Sequence, residues 1–320
     1  MMAALSFRSF PRGFSATKAL LLVATFVFLL FVTDRSPKRA PPFQHSDVSF
    51  RKLVGAELTD KLYDYNTCIY ARTFKASSEE FWKQLTPAME ECQKALKLND
   101  ASLEAFRNDD EIKYHILPND GTEEGGCIIV TAGIGHDIKA ELGMRKRLRN
   151  IQWRCDFHGA DPIVLKNKEL FSSIGTFYNF AVGNKTATEW TSVKEDAQSY
   201  AYTEKSFPHV EMLEFLKKHV NVPPMIDQYF LDVEYAEYGI AHYFLDGSPL
   251  DSEGIEICQV NIEFHGGAPN FRDMFMKFMR RALRENRWIF LKPVIDGHAR
   301  LYMLNIRSLG CAERYIVDKF

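Results

Sequence analysis

The stretch that decides the fold is GCIIVTAGIGHD, residues 126–137, followed after a charged segment by WRCDFHGAD, residues 153–161. Residues 127–130 form a short apolar, β-branched run that gives way to Gly133-Ile134-Gly135. The spacing predicts a strand that turns into a helix starting near Asp137. Two glycines at a strand tip bare the backbone N–H groups, so that a ligand can approach them closely. At the end of the next strand, Asp161 would accept hydrogen bonds from two ribose hydroxyls. Asp156 lies nearer the usual separation of about 20 residues, but it falls within the strand and off its tip. The whole reads as the first β-α-β unit of a nucleotide-binding sheet.

Downstream the pattern continues as alternating strands and helices. A short helix is expected at 163–171, a third strand at 174–183 with a hairpin partner at 186–193, and a helix at 209–220. Residues 225–233 are apolar enough for a central strand, 238–245 for the helix packed on it, and 255–264 for a further strand. Phe271, Met274, Phe275, Phe278, Met279 and Ala282 recur at helical spacing and form a core face. The ending is diagnostic. WIFLKPVI (288–295), the turn Asp296-Gly297-His298 and RLYMLNI (300–306) are two strands joined too briefly to be parallel. Such a chain forms a seven-stranded, mostly parallel α/β sheet closed by an antiparallel C-terminal hairpin.

Upstream, residues 48–120 read as a helical cap, with Ser77-Ser78-Glu79-Glu80 as a helix start and Pro87 dividing or kinking the helix beyond it. The aromatics Tyr63, Tyr65, Tyr70, Phe74, Phe81 and Trp82 are its packing face. Residues 19–33, ALLLVATFVFLLFVT, carry no charge and lie between Lys18 and Asp34-Arg35. No small-x-small cleavage site comes after them, so the segment reads as an uncleaved transmembrane signal anchor. The implied organisation is a cytosolic tail (1–18), the anchor in the lipid bilayer (19–33), a Pro-rich stem (34–47), the cap (48–120) and the α/β domain (121–320). The expected placement is single-pass type II, in the Golgi or endoplasmic reticulum, with a luminal C-terminal domain. Asn184-Lys185-Thr186 is the usable glycosylation sequon.

The 320 residues are 46% hydrophobic, enough for a sizeable core, and 40 Lys plus Arg against 42 Asp plus Glu give no electrostatic case for a nucleic-acid partner. Six cysteines permit disulfides in an oxidising lumen, yet their scatter does not read as a framework. Cys127, Cys155 and Cys258 are expected to be buried apolar residues. With no CxxC and no Cys/His cluster, no metal is expected.

The peptide LDVEYAEYGI, residues 231–240, falls at the carboxyl end of the fourth strand of the sheet, where ligands bind near the switch point. Alternation puts Asp232 and Glu234 on one face, where a carboxylate could meet a sulfonium or an acceptor hydroxyl. Here the chain resembles the FkbM family of S-adenosylmethionine-dependent methyltransferases, in its membrane-anchored branch. The resemblance rests on GIGHD (133–137), Asp161-Pro162, FAVGN (180–184), DVEYAE (232–237) and IEFHG (262–266), and covers roughly residues 121–304. It implies a class I methyltransferase-like (Rossmann-like) fold and O-methyl transfer to a hydroxyl of a secretory-pathway glycan or small metabolite. S-adenosylmethionine would be held by Gly133, Gly135, Asp137, Asp161 and Asp232. Glu234, Glu263 and His265 stand at strand ends as candidate bases, with His136 a weaker one. Two departures stand out: Thr131 replaces the family's acidic residue before the glycine turn, and Tyr235 its glycine after DVE. Two rival readings are an inactive binding module and a type II glycosyltransferase in which Asp232 and Glu234 bind a metal.

Overall fold

The computed structural model describes residues 45–100, 102–119, 126–193, 202–266 and 268–320. The tail and the anchor expected at 19–33 lie outside the described residues. Among the described residues no helix is long and apolar enough to cross a membrane.

Three helices open the described chain: α1 (His45–Val54), α2 (Ala56–Thr73) and α3 (Ser78–Ala95). The first begins inside the expected stem. Ser77 caps α3 through a reciprocal bond pair with Glu80, and the helix runs through Pro87 undivided. Tyr65 and Asn66 on α2 donate to the carbonyls of Phe290 (2.9 Å) and Trp288 (2.8 Å) on the last strand but one. The cap thus supplies donors to an edge that would otherwise show bare acceptors.

The sequence predicts a cap that is helical to residue 120, but β1 (Leu103–Arg107) and β2 (Ile112–Ile116) form an antiparallel hairpin. Its strand pattern is hidden because two inward positions carry Lys113 and His115, 5% and 1% exposed. The hairpin hangs on the central sheet by side-chain amides. Asn261 exchanges bonds of 2.7 and 2.8 Å with the Tyr114 backbone, and Gln259 bonds of 2.7 and 3.3 Å with that of Ile116.

The α/β part continues as β3 (Ile128–Ala132), α4 (Lys139–Asn150), β4 (Asp156–Ala160), α5 (Asn167–Ser172) and β5 (Thr176–Tyr178). After β5 the chain leaves the main sheet. β6 (Ala181–Gly183) pairs parallel with β8 (Thr203–Glu211), and β7 (Ala187–Val193) pairs antiparallel with β8. The strand expected at 174–183 is therefore two strands in two sheets, and 186–193 is not its hairpin partner. The helix expected at 209–220 starts at Met212, its first three residues being the end of β8.

β9 (Met225–Leu231), α7 (Glu237–Ile240), α8 (Pro249–Glu253), β10 (Glu256–Phe264), α9 (Pro269–Glu285), β11 (Trp288–Asp296), β12 (His298–Asn305) and α10 (Leu309–Tyr315) complete the fold, α6 being Met212–Glu214 and its π-helical continuation Phe215–Val220. The seven-stranded sheet has the order β11-β12-β10-β9-β3-β4-β5, with β12 antiparallel to both neighbours and the other adjacent pairs parallel. Expectation and structure agree here. Because β3 leads to β4 on one side and lies beside β9 on the other, the switch point falls between β3 and β9.

The cysteine reading is corrected. All six are paired, as Cys68–Cys92, Cys127–Cys155 and Cys258–Cys311. The second joins the starts of adjacent parallel strands, and the third ties β10 to α10, whose Arg314 and Tyr315 also bond the fully buried Asp227.

Two outcomes are expected. Replacing Cys258 and Cys311 together by alanine opens a link spanning 53 residues, and the chain-entropy estimate puts the loss near 4 kcal/mol in urea denaturation. Burial holds the His115 ring at a pKa of about 4 against the opposing Gln228 hydrogen bond. The folded chain keeps the ring neutral, so its contribution is complete above about pH 6.5 and declines as the pH falls from there toward the folded pKa of about 4, by up to about 3 kcal/mol. Urea midpoints of His115→Gln across this window should show a shallower acid slope than wild type.

Candidate active site

At the carboxyl edge of the sheet, the tips of β3 and β9 touch. Asp232 donates its backbone N–H to Ala132 O at 3.0 Å, and Gly133 donates to Ala160 O at 3.0 Å. Gly133 has a φ of 83°, and a Cβ there would stand 1.7 Å from the Asp232 carbonyl oxygen. This position admits no side chain. Gly135, at φ 61°, has open space where its Cβ would be.

The expected ribose acid has other work. Asp161 is 6% exposed, and its Oδ2 accepts the N–H groups of Ile134 (2.8 Å) and Gly135 (3.4 Å). Oδ1 accepts Ile163 N–H at 2.7 Å, and the Asn167 side chain bonds the carboxylate as well. Burial raises its pKa and these donors oppose the rise. The bare amides and the carboxylate, expected to grip a ligand from two sides, satisfy each other instead. A buried carboxylate without donors would be costly, and the loop amides are the donors within reach. Asp137 is likewise spent: Oδ1 takes Lys139 N–H (2.9 Å) at the start of α4, and Oδ2 takes Asp109 N–H (2.7 Å) in the β1–β2 turn. Asp156, the competitor, opens β4 at the opposite edge of the sheet.

Thr131, standing in the acidic position, is fully buried and donates to Glu141 at 3.4 Å. Glu141 comes from α4, is fully buried, and pairs with Lys113 at 3.0 Å. A carboxylate is thus present near residue 131, supplied from the helix and neutralised by the hairpin.

Beyond β9 the chain bends through two left-handed non-glycine residues, Glu234 (φ 50°) and Tyr235 (φ 74°). A tyrosine there is strained by about 1 kcal/mol or more. Its ring packs on Phe271 (4.9 Å) and His265 (5.2 Å), which holds the bend in place. The turn delivers Asp232, Glu234 and the fully buried Glu237 to His265, which lies just past β10. His265 Nδ1 lies 2.8 Å from Glu237, and Nε2 lies 3.2 Å from Glu234 and 3.6 Å from Asp232. Glu263, one alternation back on β10, accepts Arg300 Nε at 2.7 Å and approaches His298 Nδ1 at 3.5 Å.

These charges shift the protonation of one another. Burial works against a charged His265, but the Glu237 hydrogen bond and the charges of Glu237, Asp232 and Glu234 outweigh it and push its pKa up to about 10. Held toward its charged form, the ring has its lone pairs occupied, which counts against the expectation of His265 as a base. Burial lifts the carboxyls of Asp232, Glu234 and Glu263 above their ordinary range, with Asp232 raised furthest and the Glu263 charge adding to its rise. Of the expected bases, Glu234 remains able to take a proton: 22% exposed, it is hydrogen-bonded to the Tyr202 hydroxyl. His136, in the glycine loop at φ 67°, lies on the Asn167 side of that loop.

A cavity of about 330 Å³ opens beside this cluster, between the β1–β2 hairpin and the ends of β9, β10 and β12. Gly133, Asp232, Glu263, Lys113, Tyr114 and Arg300 contribute to its walls. Sequence reasoning missed Lys113, Glu141, Glu237 and His298; only the Glu-x-His spacing of 263 and 265 beside a hairpin histidine signalled the last of these.

Measured against a methyl donor carrying a sulfonium and an ammonium, the residues fit in part. The open turn at Gly135 and the carboxylate surplus at Asp232 and Glu234 suit it, whereas Asp161 has its bonding capacity filled. In comparison with protein-family models, residues 94–288 match the methyltransferase FkbM domain. No curated protein and no solved structure matches the chain.

Gly133→Ala must separate the tips of β3 and β9 and is expected to lose about 3 kcal/mol or more. Gly135→Ala meets no atom and should lose about 1 kcal/mol for its left-handed φ. Urea unfolding of the pair reads the difference.

Proposed function

Because the chain belongs to the FkbM methyltransferase family, we propose that it transfers a methyl group from S-adenosylmethionine to a hydroxyl of a secretory-pathway glycan or small metabolite. The observation that carries the reading is the cavity at the β3–β9 switch point, walled by Gly133 and Asp232 and flanked by a carboxylate surplus. The cofactor, when bound, supplies an electrophilic methyl group. The turn at Gly133 and Gly135 would let it lie close to the backbone, and Asp232 would meet its positive charge. Asp161 acts here as the brace of that turn, and a ribose would have to exchange for one of its amide partners.

The acceptor lies in the cavity, where positioning provides most of the rate enhancement. Its hydroxyl oxygen would form the new bond to the methyl carbon as the methyl–sulfur bond breaks to leave a neutral thioether, and its proton would pass to Glu234. His265, held as a cation by Glu237, keeps Asp232 and Glu234 together despite their mutual repulsion. Arg300 does the same for Glu263.

The localisation proposed is a type II membrane protein of the Golgi or endoplasmic reticulum, with residues 19–33 as its anchor. Three disulfides support an oxidising lumen. Asn184, exposed in the bend between β6 and β7, is the proposed glycosylation site. A second reading, a binding module without turnover, is favoured by the saturated Asp161 and by Thr131 and Tyr235. The glycosyltransferase reading has no such support in the order of the main sheet.

Calorimetric titration of S-adenosylmethionine into the full chain should give saturable binding, weakened roughly tenfold or more by Asp232→Asn, about 1.4 kcal/mol or more. No heat at millimolar cofactor would defeat the proposal. Binding with no methylated product across a panel of glycans would favour the inactive module.

A further inference from the structure

The edge of β10 and β12 brings together groups that methyl transfer alone does not account for. Glu263 near the end of β10 and His265 just past it stand two apart, and continued alternation would put them on one face. In the β10–β12 register Glu263 faces Arg300 and Phe264 faces Ala299, and its continuation sets His265 beside His298. The two imidazole centroids are 4.7 Å apart. Donor atoms of Glu263, His265 and His298 all lie within 4.8 Å of one another, as do those of Asp232, Glu237 and His265.

Three further facts point to a cation. Glu237, fully buried, binds His265 Nδ1 at 2.8 Å; a carboxylate on one ring nitrogen is the arrangement that orients a metal-ligating histidine and leaves the other nitrogen for the ion. His265 Nε2 then looks toward Glu234 Oε2 at 3.2 Å and Asp232 Oδ1 at 3.6 Å, while His298 Nδ1 lies 3.5 Å from Glu263 Oε1. The separations to Asp232 and Glu263 are too long for good hydrogen bonds, and they are close to the spacing of about 3 Å between neighbouring donors that each stand about 2.1 Å from a shared ion. Finally, Asp232 Oδ1 and His298 Nδ1 are enclosed atoms with no hydrogen-bond partner among the described residues. Each carries an uncompensated desolvation cost that coordination would remove. Arg300 occupies Glu263 Oε2 and leaves Oε1 facing His298.

We propose that His265 Nε2, His298 Nδ1, Glu263 and Asp232 bind a divalent first-row transition metal ion at this edge. Two imidazoles with two carboxylates suit manganese, iron or zinc better than magnesium or calcium, which take oxygen ligands. The ion takes the place of the Nε2 proton in the carboxylate cage. It lies against the cavity next to Asp232, where it can polarise an acceptor hydroxyl and assist its deprotonation. This last role rests on the methyl-transfer reading; the binding itself does not, and it is measured without cofactor.

The test strips the purified full chain with a chelator, dialyses it against manganese chloride or zinc chloride alone, and counts retained ion by mass spectrometry alongside the melting temperature. One ion per chain and a raised melting temperature are expected. His298→Ala and Glu263→Gln should each weaken uptake tenfold or more, whereas His242→Ala, an exposed histidine bonded to Gly239 O, should leave it unchanged. Should His298→Ala fail to fold, His298→Gln keeps the ring position polar and serves the same comparison. No retained ion at millimolar manganese or zinc overturns the proposal. So does uptake that the His298 and Glu263 substitutions leave intact. Loss of S-adenosylmethionine binding with metal uptake preserved would count against the methyl-transfer reading alone.

Discussion

The structure depends on one close approach: the Asp232 carbonyl oxygen occupies the space where any residue but glycine at 133 would carry its Cβ. Only this contact lets the tips of β3 and β9 meet with the Asp232 N–H bonded to Ala132 O. The switch point results from it, since the chain diverges to either side of these two strands. It also sets the direction of the loop after β9, and hence where Asp232, Glu234 and Glu237 arrive. The left-handed φ of Glu234 and Tyr235 is the local consequence. The chain must turn back sharply at once to place Glu237 at the start of α7, and the stacking of Tyr235 on Phe271 and His265 offsets the strain.

That geometry gathers more carboxylates than a half-buried edge tolerates, and the rest of the site is arranged to compensate. Four acids, Asp232, Glu234, Glu237 and Glu263, meet His265 and Arg300, while Glu141 and Glu111 are met by Lys113 from the hairpin. Removing one partner of such a buried set strands the others, which is more damaging than the pair is stabilising. The β1–β2 hairpin is therefore an electrostatic part of the site as well as its wall. Its attachment through Gln259 and Asn261, side chains of β10 imitating a backbone ladder, fixes Lys113 relative to the strand that also carries Glu263.

Much of the sheet was legible in the sequence because the signals are local. Apolar β-branched runs announced β3, β9 and β10, the Asp-Gly turn announced the last hairpin, and the Met and Phe spacing announced α9. The features that were missed are non-local. β2 reads as polar because Lys113 and His115 face inward, and only the partners Glu141 and Gln228, distant in sequence, make that burial tolerable. Cys127 and Cys155 look like core residues until the parallel register puts them at adjacent strand starts. In the site, the residue types at 232, 234, 263 and 265 were readable, but their roles were not. Whether His265 is a base or a cation turns on Glu237, whose approach is set by the bend at Tyr235.

Asp161 makes the same point in the opposite sense. Strand-end position and residue type both suited it to a ribose, and neither revealed that the glycine loop would fold onto it. The exchange is nearly balanced: a carboxylate that accepts Ile134 N–H at 2.8 Å and Gly135 N–H at 3.4 Å gives up little by releasing the longer bond. A ligand hydroxyl competing there has to displace one weak amide contact while the stronger one keeps the loop in place. The bonds to Ile134 and Ile163 tie the glycine loop to the turn after β4. Specificity for the bound molecule would accordingly be set on the other flank, at Asp232 and the cavity under the β1–β2 hairpin, where the unmatched charge resides.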